Sequence, residues 1–233
     1  MQQGQVVRVN ACRLTVGAHH WDWAQRHQEQ IALNWQHQRA NNPAFFNGAI
    51  QMLVRYSIDN GVFIGDFSTS DFASFIYWRG QGFADMSVRD CFGCAILRSA
   101  DGHLLLGRQA AGNLNAGRVY CPGGFIDTAD VRADRSIDID GSIAREIAEE
   151  TGLDAAMLLR QPGYILAAGE ASIAIGVEYR SALTAEAMRA QILRHIASED
   201  IPELADIMIV RRPGDLDGVP AAAYVGPLLR ALF

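Results

Sequence analysis

The chain is predicted to fold as an α/β/α sandwich around a mixed sheet, preceded by a smaller N-terminal α+β segment. Three observations predict it. Strand-like and helix-like stretches alternate after residue 88, in the order expected when helices cover a sheet. Two hairpin signals, Asn60-Gly61 and Asp101-Gly102, join neighbouring strand-like runs. One strongly amphipathic helix follows a Gly-Gly turn. The division falls near residue 87, giving segments 1–87 and 88–233, with no internal repeat or low-complexity stretch.

In order, a helix is expected over Trp23–Ala40, closed by Asn41-Asn42-Pro43. A strand over Ala49–Ile58 turns at Asn60-Gly61, where both residues tolerate positive φ, into Val62–Phe67. Ser70 or Asp71 opens a second helix through Tyr77 and Trp78. Beyond it come strands over Val88–Leu97 and His103–Gly107, and a short one, Arg118–Cys121, that ends at Pro122-Gly123-Gly124. An acidic helix follows, with Asp140 or Ser142 as N-cap and Gly152 as its C′ residue. Strands Tyr164–Ala168 and Ile173–Ser181, a helix over Thr184–Ala197, the strand Ile207–Arg211 and a terminal helix from Pro227 complete the chain.

The acidic helix carries the chemistry. In Arg145-Glu146-Ile147-Ala148-Glu149-Glu150-Thr151-Gly152-Leu153, a helical period puts Glu146, Glu149 and Glu150 in one arc and turns Ile143, Ala144, Ile147 and Ala148 toward a core. Glu146 and Glu150 form an i,i+4 like-charge pair, costing roughly 0.2–0.5 kcal/mol, and Glu149 and Glu150 sit at the unfavourable end of the helix dipole. A cation should compensate. Arg145 supplies part of it, and a hard divalent ion liganded by oxygen would use all three carboxylates. An acidic solvated helix face is the competing reading of the string alone.

This stretch resembles the signature helix of the Nudix hydrolases, matching the family pattern REUXEEXGU at every position. The upstream half, Pro122-Gly123-Gly124-Phe125-Ile126-Asp127-Thr128-Ala129-Asp130, matches in part. Asp130 stands where the family has a glutamate, and fourteen residues, about twice the usual number, separate it from Arg145. The added stretch, Val131 to about Asp140, reads as a polar surface loop. The resemblance covers about residues 88–233, and it implies the Nudix α/β/α fold and hydrolysis of a nucleoside diphosphate linked to another moiety. It implies Mg²⁺ (or Mn²⁺) held by Glu146, Glu149, Glu150 and a backbone carbonyl near Gly124, with Arg145 orienting the carboxylates. The general base is left open between the box itself and a later loop, where Glu170 and Glu199, which follow a strand and a helix, are the candidates. Arg108, Asn115 and Arg118, around the glycine-rich loop before the box, are the candidate substrate contacts.

Further upstream, Phe46-Asn47-Gly48 and Ser70-Asp71-Phe72-Ala73-Ser74-Phe75 are similar to the Nudix branch of uridine diphosphate glucose pyrophosphatases, so a nucleotide sugar such as UDP-glucose is one expected substrate. A core role for Phe46, Phe72 and Phe75 is the alternative. A second functional reading is a non-catalytic nucleotide-binding regulatory module, which the Asp130 departure and the lengthened loop suggest.

With 233 residues and 49% hydrophobic content, the chain can bury one good core and an annex. A formal charge of -6 argues against polynucleotide partners. No apolar run approaches the roughly 20 residues that span a bilayer, and the N-terminus lacks an apolar signal segment, so a cytoplasmic protein without membrane partners is expected. Cys91 and Cys94 are three apart on a strand and face opposite ways, which leaves Cys12, Cys91, Cys94 and Cys121 as free thiols. The aromatic residues Trp21, Trp23, Trp35, Phe45, Phe46, Phe72, Phe75, Tyr77 and Trp78 are too many for a solvated tail. They are expected either to dock on the rest of the chain and shape its substrate site or to form a homodimer surface.

Overall fold

A computed structural model describes residues 1–233. Its first elements are β1 (Val6–Val9), β2 (Ala11–Val16), α1 (Asp22–Arg26), α2 (Gln28–Asn41), β3 (Ala49–Asp59), β4 (Val62–Asp71) and α3 (Phe72–Gly80). Then come β5 (Arg89–Arg98), β6 (Leu104–Gln109), β7 (Val119–Tyr120), β8 (Gly123–Phe125) and α4 (Ile139–Thr151). The last are β9 (Leu159–Arg160), β10 (Tyr164–Ala168), β11 (Ser172–Arg180), α5 (Ala185–Ile196), β12 (Leu204–Val210) and α6 (Val225–Leu232). The architecture is mixed α/β, with parallel and antiparallel strand pairs. No helix is long and apolar enough to cross a membrane.

The chain gathers into two compact units, one of Met1–Asn10, Phe92–Gly124 and Asp140–Phe233, the other of Ala11–Cys91 and Phe125–Ile139. The division expected near residue 87 is therefore displaced to Cys91, and it is not a single cut. Met1–Asn10 joins the first unit because β1 pairs with β10 (Val7↔Leu166), and Phe125–Ile139 joins the second through bridges described below.

In the first unit, β10 pairs antiparallel with β1 and β11, and β9 extends the far end of β11 through Tyr179↔Arg160. Strand β6 pairs antiparallel with β5, β7 and β12. These strands are apolar runs, as strands covered on both faces must be: Leu104, Leu105 and Leu106 are all buried. Helix α5 packs on β12 and β6 through Ala185, Met188 and Ile192, and α6 packs on β1 and β10, burying Val225, Leu228 and Leu229. Helix α4 buries Ile143 and Ile147 completely. Each such side chain contributes about 1.5–3 kcal/mol, which fixes the face on which the glutamates stand.

In the second unit, β3 and β4 pair antiparallel across Asn60 (φ 48) and Gly61 (φ 75), the positive-φ turn the sequence asks for. Strand β2 adds to β4 in parallel, and Arg89 and Asp90 of β5 pair with Leu53 and Met52. Asp71 caps α3, its side chain accepting from the Ser74 amide at 2.8 Å. The single helix expected over Trp23–Ala40 is broken at His27 (φ -111, ψ 19). There the imidazole stacks on Trp23 at 4.4 Å and its Nδ1 meets the Trp23 carbonyl at 2.7 Å, which competes with helix continuation.

The aromatic residues pack among themselves in one connected cluster, whose two halves are joined by Phe75 and Trp78 with ring centroids 6.0 Å apart. Trp21, Trp23, Tyr77 and Trp78 stack or meet edge to face, as do Trp35, Phe45, Phe72, Phe75 and Phe125. Phe46 is the correction: it is 81% exposed and belongs to no core. The stretch Val131–Asp140 is also not a plain surface loop. Thr15↔Ser136, Ile50↔Asp127 and Val131↔Ile137 form β-bridges, the Ile137 amide donates to Leu14 O, and Arg135 donates to the carbonyls of Val16 and Gly17. The alternation Ile137, Ile139 has period two and buries both side chains, which is how polar-looking sequence becomes strand-like.

Candidate functional site

Helix α4 begins at Ile139, so Asp140 and Ser142 lie inside it and neither caps it. The Asp140 carboxylate is instead taken by Arg160 at 2.7 and 2.9 Å and by the Tyr164 hydroxyl at 2.6 Å, while Ser142 Oγ is buried without a partner. At the other end Gly152 takes φ 64 and its amide reaches Ala148 O at 2.9 Å. A Cβ there would lie 2.5 Å from the His195 ring, whose Nε2 meets the Glu149 carbonyl at 2.9 Å.

Glu146 and Glu150 are buried, at 8% and 3% exposure, whereas Glu149 points outward. Arg145 Nη1 bridges the two sides, 2.9 Å from Glu146 Oε1 and 3.2 Å from Glu149 Oε2. Glu150 is held from both oxygens, accepting a short hydrogen bond from the Tyr120 hydroxyl on Oε1 and one from the Gly123 amide at 2.9 Å on Oε2. The glycine pair is required by closeness: a Cβ on Gly123 would meet Gly93 O at 2.3 Å, and one on Gly124 would meet the Glu146 carboxylate at 2.6 Å. Gly124 is thus a cradle into which the Glu146 carboxylate fits.

The electrostatics are those of crowded anions. Burial, then Glu203 and Glu146, push the Glu150 carboxyl well above the usual carboxylate range, against the bonds from Tyr120 and Gly123. Glu203, just before β12, keeps part of its surface exposed, yet desolvation of its carboxyl leads the upward push, followed by Glu149 and Glu199 and opposed by Gln109. Glu199 lies 3.6 Å from His195 Nε2. The structure therefore brings Glu146, Glu149, Glu150, Glu199 and Glu203 into one electrostatic neighbourhood. Glu170 takes no part in it and is exposed in the turn between β10 and β11.

No group of three or more His, Cys, Asp or Glu side chains is gathered closely enough to hold a metal ion. The donor set is nonetheless all oxygen, which suits a hard divalent cation, and the Gly124 cradle leaves the Glu146 carboxylate against backbone with no intervening side chain. Asp130 belongs to the other unit, where its Oδ2 accepts from the Asp127 amide at 3.1 Å and its carbonyl from Asp138.

The predicted substrate contacts hold a loop together. Arg108 Nη1 donates to Gly117 O at 2.9 Å and Arg118 Nη1 to Ala221 O at 3.2 Å. The Asn115 amide is held by Gln109 Oε1. Sequence reading missed Gln109, Tyr120 and Glu203. Tyr120 carried a signal, a polar-tipped residue in an apolar strand just ahead of the glycine pair. Gln109 and Glu203 carried none, since their partners are distant in the chain.

No family model matches the chain, and no curated protein matches it. Among solved structures it is similar to DR0079 from Deinococcus radiodurans, 17% identical over 64% of this chain and 88% of that one, with a TM-score of 0.45. It is similar to the Nudix domain of Shewanella oneidensis NrtR, solved with ADP-ribose, at 14% identity over 67% and 94% of the two chains and a TM-score of 0.41. A third is RenU, a Nudix hydrolase from M. smegmatis, 16% identical over 60% of this chain and 81% of its own, with a TM-score of 0.38. Likenesses this distant say nothing about activity, which is read from this chain's own residues.

Proposed function

We propose that the chain is a metal-dependent hydrolase of Nudix type that cleaves the diphosphate linkage of a nucleoside diphosphate joined to another moiety, with a nucleotide sugar such as UDP-glucose as a substrate. The observation that carries this is the pairing of two buried carboxylates, Glu146 and Glu150, beside the Gly123-Gly124 turn, with further glutamates crowding them. So much buried negative charge is costly unless a cation shares the site. Glu146 and Glu150, with Glu149 and the Gly124 backbone, would hold Mg²⁺ or Mn²⁺. The bound ion would polarise phosphoryl oxygens and lower the pKa of its water toward about 7. Arg145 orients Glu146 and Glu149. Proximity to Glu203 favours Glu199 over Glu170 as the base.

One observation favours a second reading, a nucleotide-binding regulatory module without turnover: the carboxylates are not gathered into a coordination set. One experiment separates the two. The purified chain is screened with nucleotide sugars, ADP-ribose, dinucleotides and nucleoside triphosphates, with and without Mg²⁺ or Mn²⁺. Release of nucleoside monophosphate only with metal is expected, and Glu150→Gln should lower it by about 10²-fold or more, as loss of a charge-stabilising group does. Tight nucleotide binding with no turnover on any substrate would favour the module.

A further inference from the structure

The last turn of α4 ends in carbonyls that the helix itself cannot satisfy. Gly152 serves one of them, its amide donating to Ala148 O at 2.9 Å. The next, Glu149 O, is served from outside the helix: Nε2 of His195, in the final turn of α5, meets it at 2.9 Å. A carbonyl only accepts, so Nε2 carries the hydrogen in either charge state of the ring. Glu199 Oε1 lies 3.6 Å from the same nitrogen. One half-buried imidazole therefore borders both the carbonyl that ends the glutamate helix and the carboxylate proposed above as the base.

The ring is seated by Gly152. A Cβ there would lie 2.5 Å from the imidazole Cγ and 2.7 Å from Nδ1, so any larger residue would push the ring off the helix end. The motif glycine is thus needed twice, for its φ of 64 and for this flat seat. The far side is fixed as well. The Ser198 amide and hydroxyl both donate to His195 O, at 2.9 and 2.7 Å, which closes α5 around the residue that carries the ring.

The consequence follows from peptide geometry. Glu149 O shares a rigid plane with the amide nitrogen and Cα of Glu150. Holding that oxygen holds the root of the Glu150 side chain, whose tip is held separately by the Tyr120 hydroxyl and the Gly123 amide. Helix ends left without such partners fray. We propose that His195 is a positioning residue: by capping Glu149 O from a neighbouring helix, it fixes the peptide plane from which Glu150 departs and keeps Glu199 beside it. The proposal rests on the functional reading above for its purpose, while the cap itself needs neither metal nor substrate.

The test compares side chains that match either the shape or the N–H of His195. Leucine fills the space without a donor, glutamine carries an amide N–H to about the reach of Nε2, and asparagine stops at that of Nδ1. Amide hydrogen exchange on the full chain, followed by Mn²⁺ titration calorimetry, is run on the wild type, His195→Gln, His195→Leu and His195→Asn. Exchange at Gly152 should quicken about two- to tenfold in His195→Leu and His195→Asn, as expected for one hydrogen bond lost. Mn²⁺ binding should weaken several-fold in the same two variants. His195→Gln should restore both to near wild-type values, which a packing role would not allow. His195→Asn is polar and no larger than histidine, so the result does not depend on His195→Leu folding. Wild-type behaviour in the folded leucine or asparagine variant, or a glutamine variant as impaired as these, overturns the proposal. Faster Gly152 exchange with undiminished Mn²⁺ affinity also overturns it, since the cap would then not reach the carboxylates. Gly152 responding as described in a protein whose wild type binds no Mn²⁺ upholds the cap and removes the metal-hydrolase reading instead.

Discussion

At the scale of single residues, the second unit carries a carboxyl that nothing at the glutamate site requires. Asp90 Oδ1 is buried without a hydrogen-bond partner, and burial pushes its carboxyl up to about 7, with Arg79 opposing. A carboxyl raised in the folded state stabilises fully below its unfolded value of about 3.9 and loses that contribution as pH rises to about 7. Asp90→Asn, of equal size and uncharged, removes the dependence. Its stability relative to the wild type should therefore grow between pH 4 and pH 7, by on the order of a few kcal/mol, in urea unfolding followed by fluorescence. Parallel pH profiles would show that water or Arg79 already compensates the charge. Residues also mark how far the sequence was legible. Glu146, Glu149 and Glu150 could be grouped because helical period is a local property. Tyr120, Gln109 and Glu203 reach the same place through strand pairing across the chain, and no local pattern announces that.

At the scale of elements, the strands after residue 88 and the β3–β4 hairpin were readable from alternation and turn chemistry, with errors at their ends. The first sixteen residues were not, because β1 and β2 are short and their partners, β10 and β4, lie far along the chain. The helix carrying the glutamates was placed correctly but capped wrongly: the polar residues near its start, Asp140 and Ser142, serve a tertiary clasp with Arg160 and a buried void of hydrogen bonding. Its C-terminus obeyed the local rule. Gly152→Ala would force a Cβ into the left-handed region and against His195, so a loss of about 1–2 kcal/mol is expected. Because His195 meets the Glu149 carbonyl, the variant should also perturb the glutamates. Thermal melting together with the His195 imidazole shifts in NMR checks both. A melting point unchanged from wild type would mean that the turn relaxes freely.

At the scale of the whole molecule, we propose that residues 1–87 shape substrate selection or supply a dimer surface, as their aromatic content suggests. Removing residues 1–87 would not isolate a domain. The remaining chain would keep Phe125–Ile139 while losing Leu14, Val16 and Ile50, to which that segment is bridged or bonded, and would lose β1 from the edge of β10. The truncated protein should be insoluble or inactive. Gel filtration and the substrate screen decide it: a soluble, monodisperse fragment of unchanged selectivity would show that the segment contributes neither packing nor specificity.

The chain passes between the units four times, at residues 10–11, 91–92, 124–125 and 139–140. Two of those passages bracket the stretch between the Gly-Gly strand and the glutamate helix. No single genetic crossover point releases either unit whole and by itself. A single recombination event at one point can therefore not trade one unit for another, as it trades beads on a string.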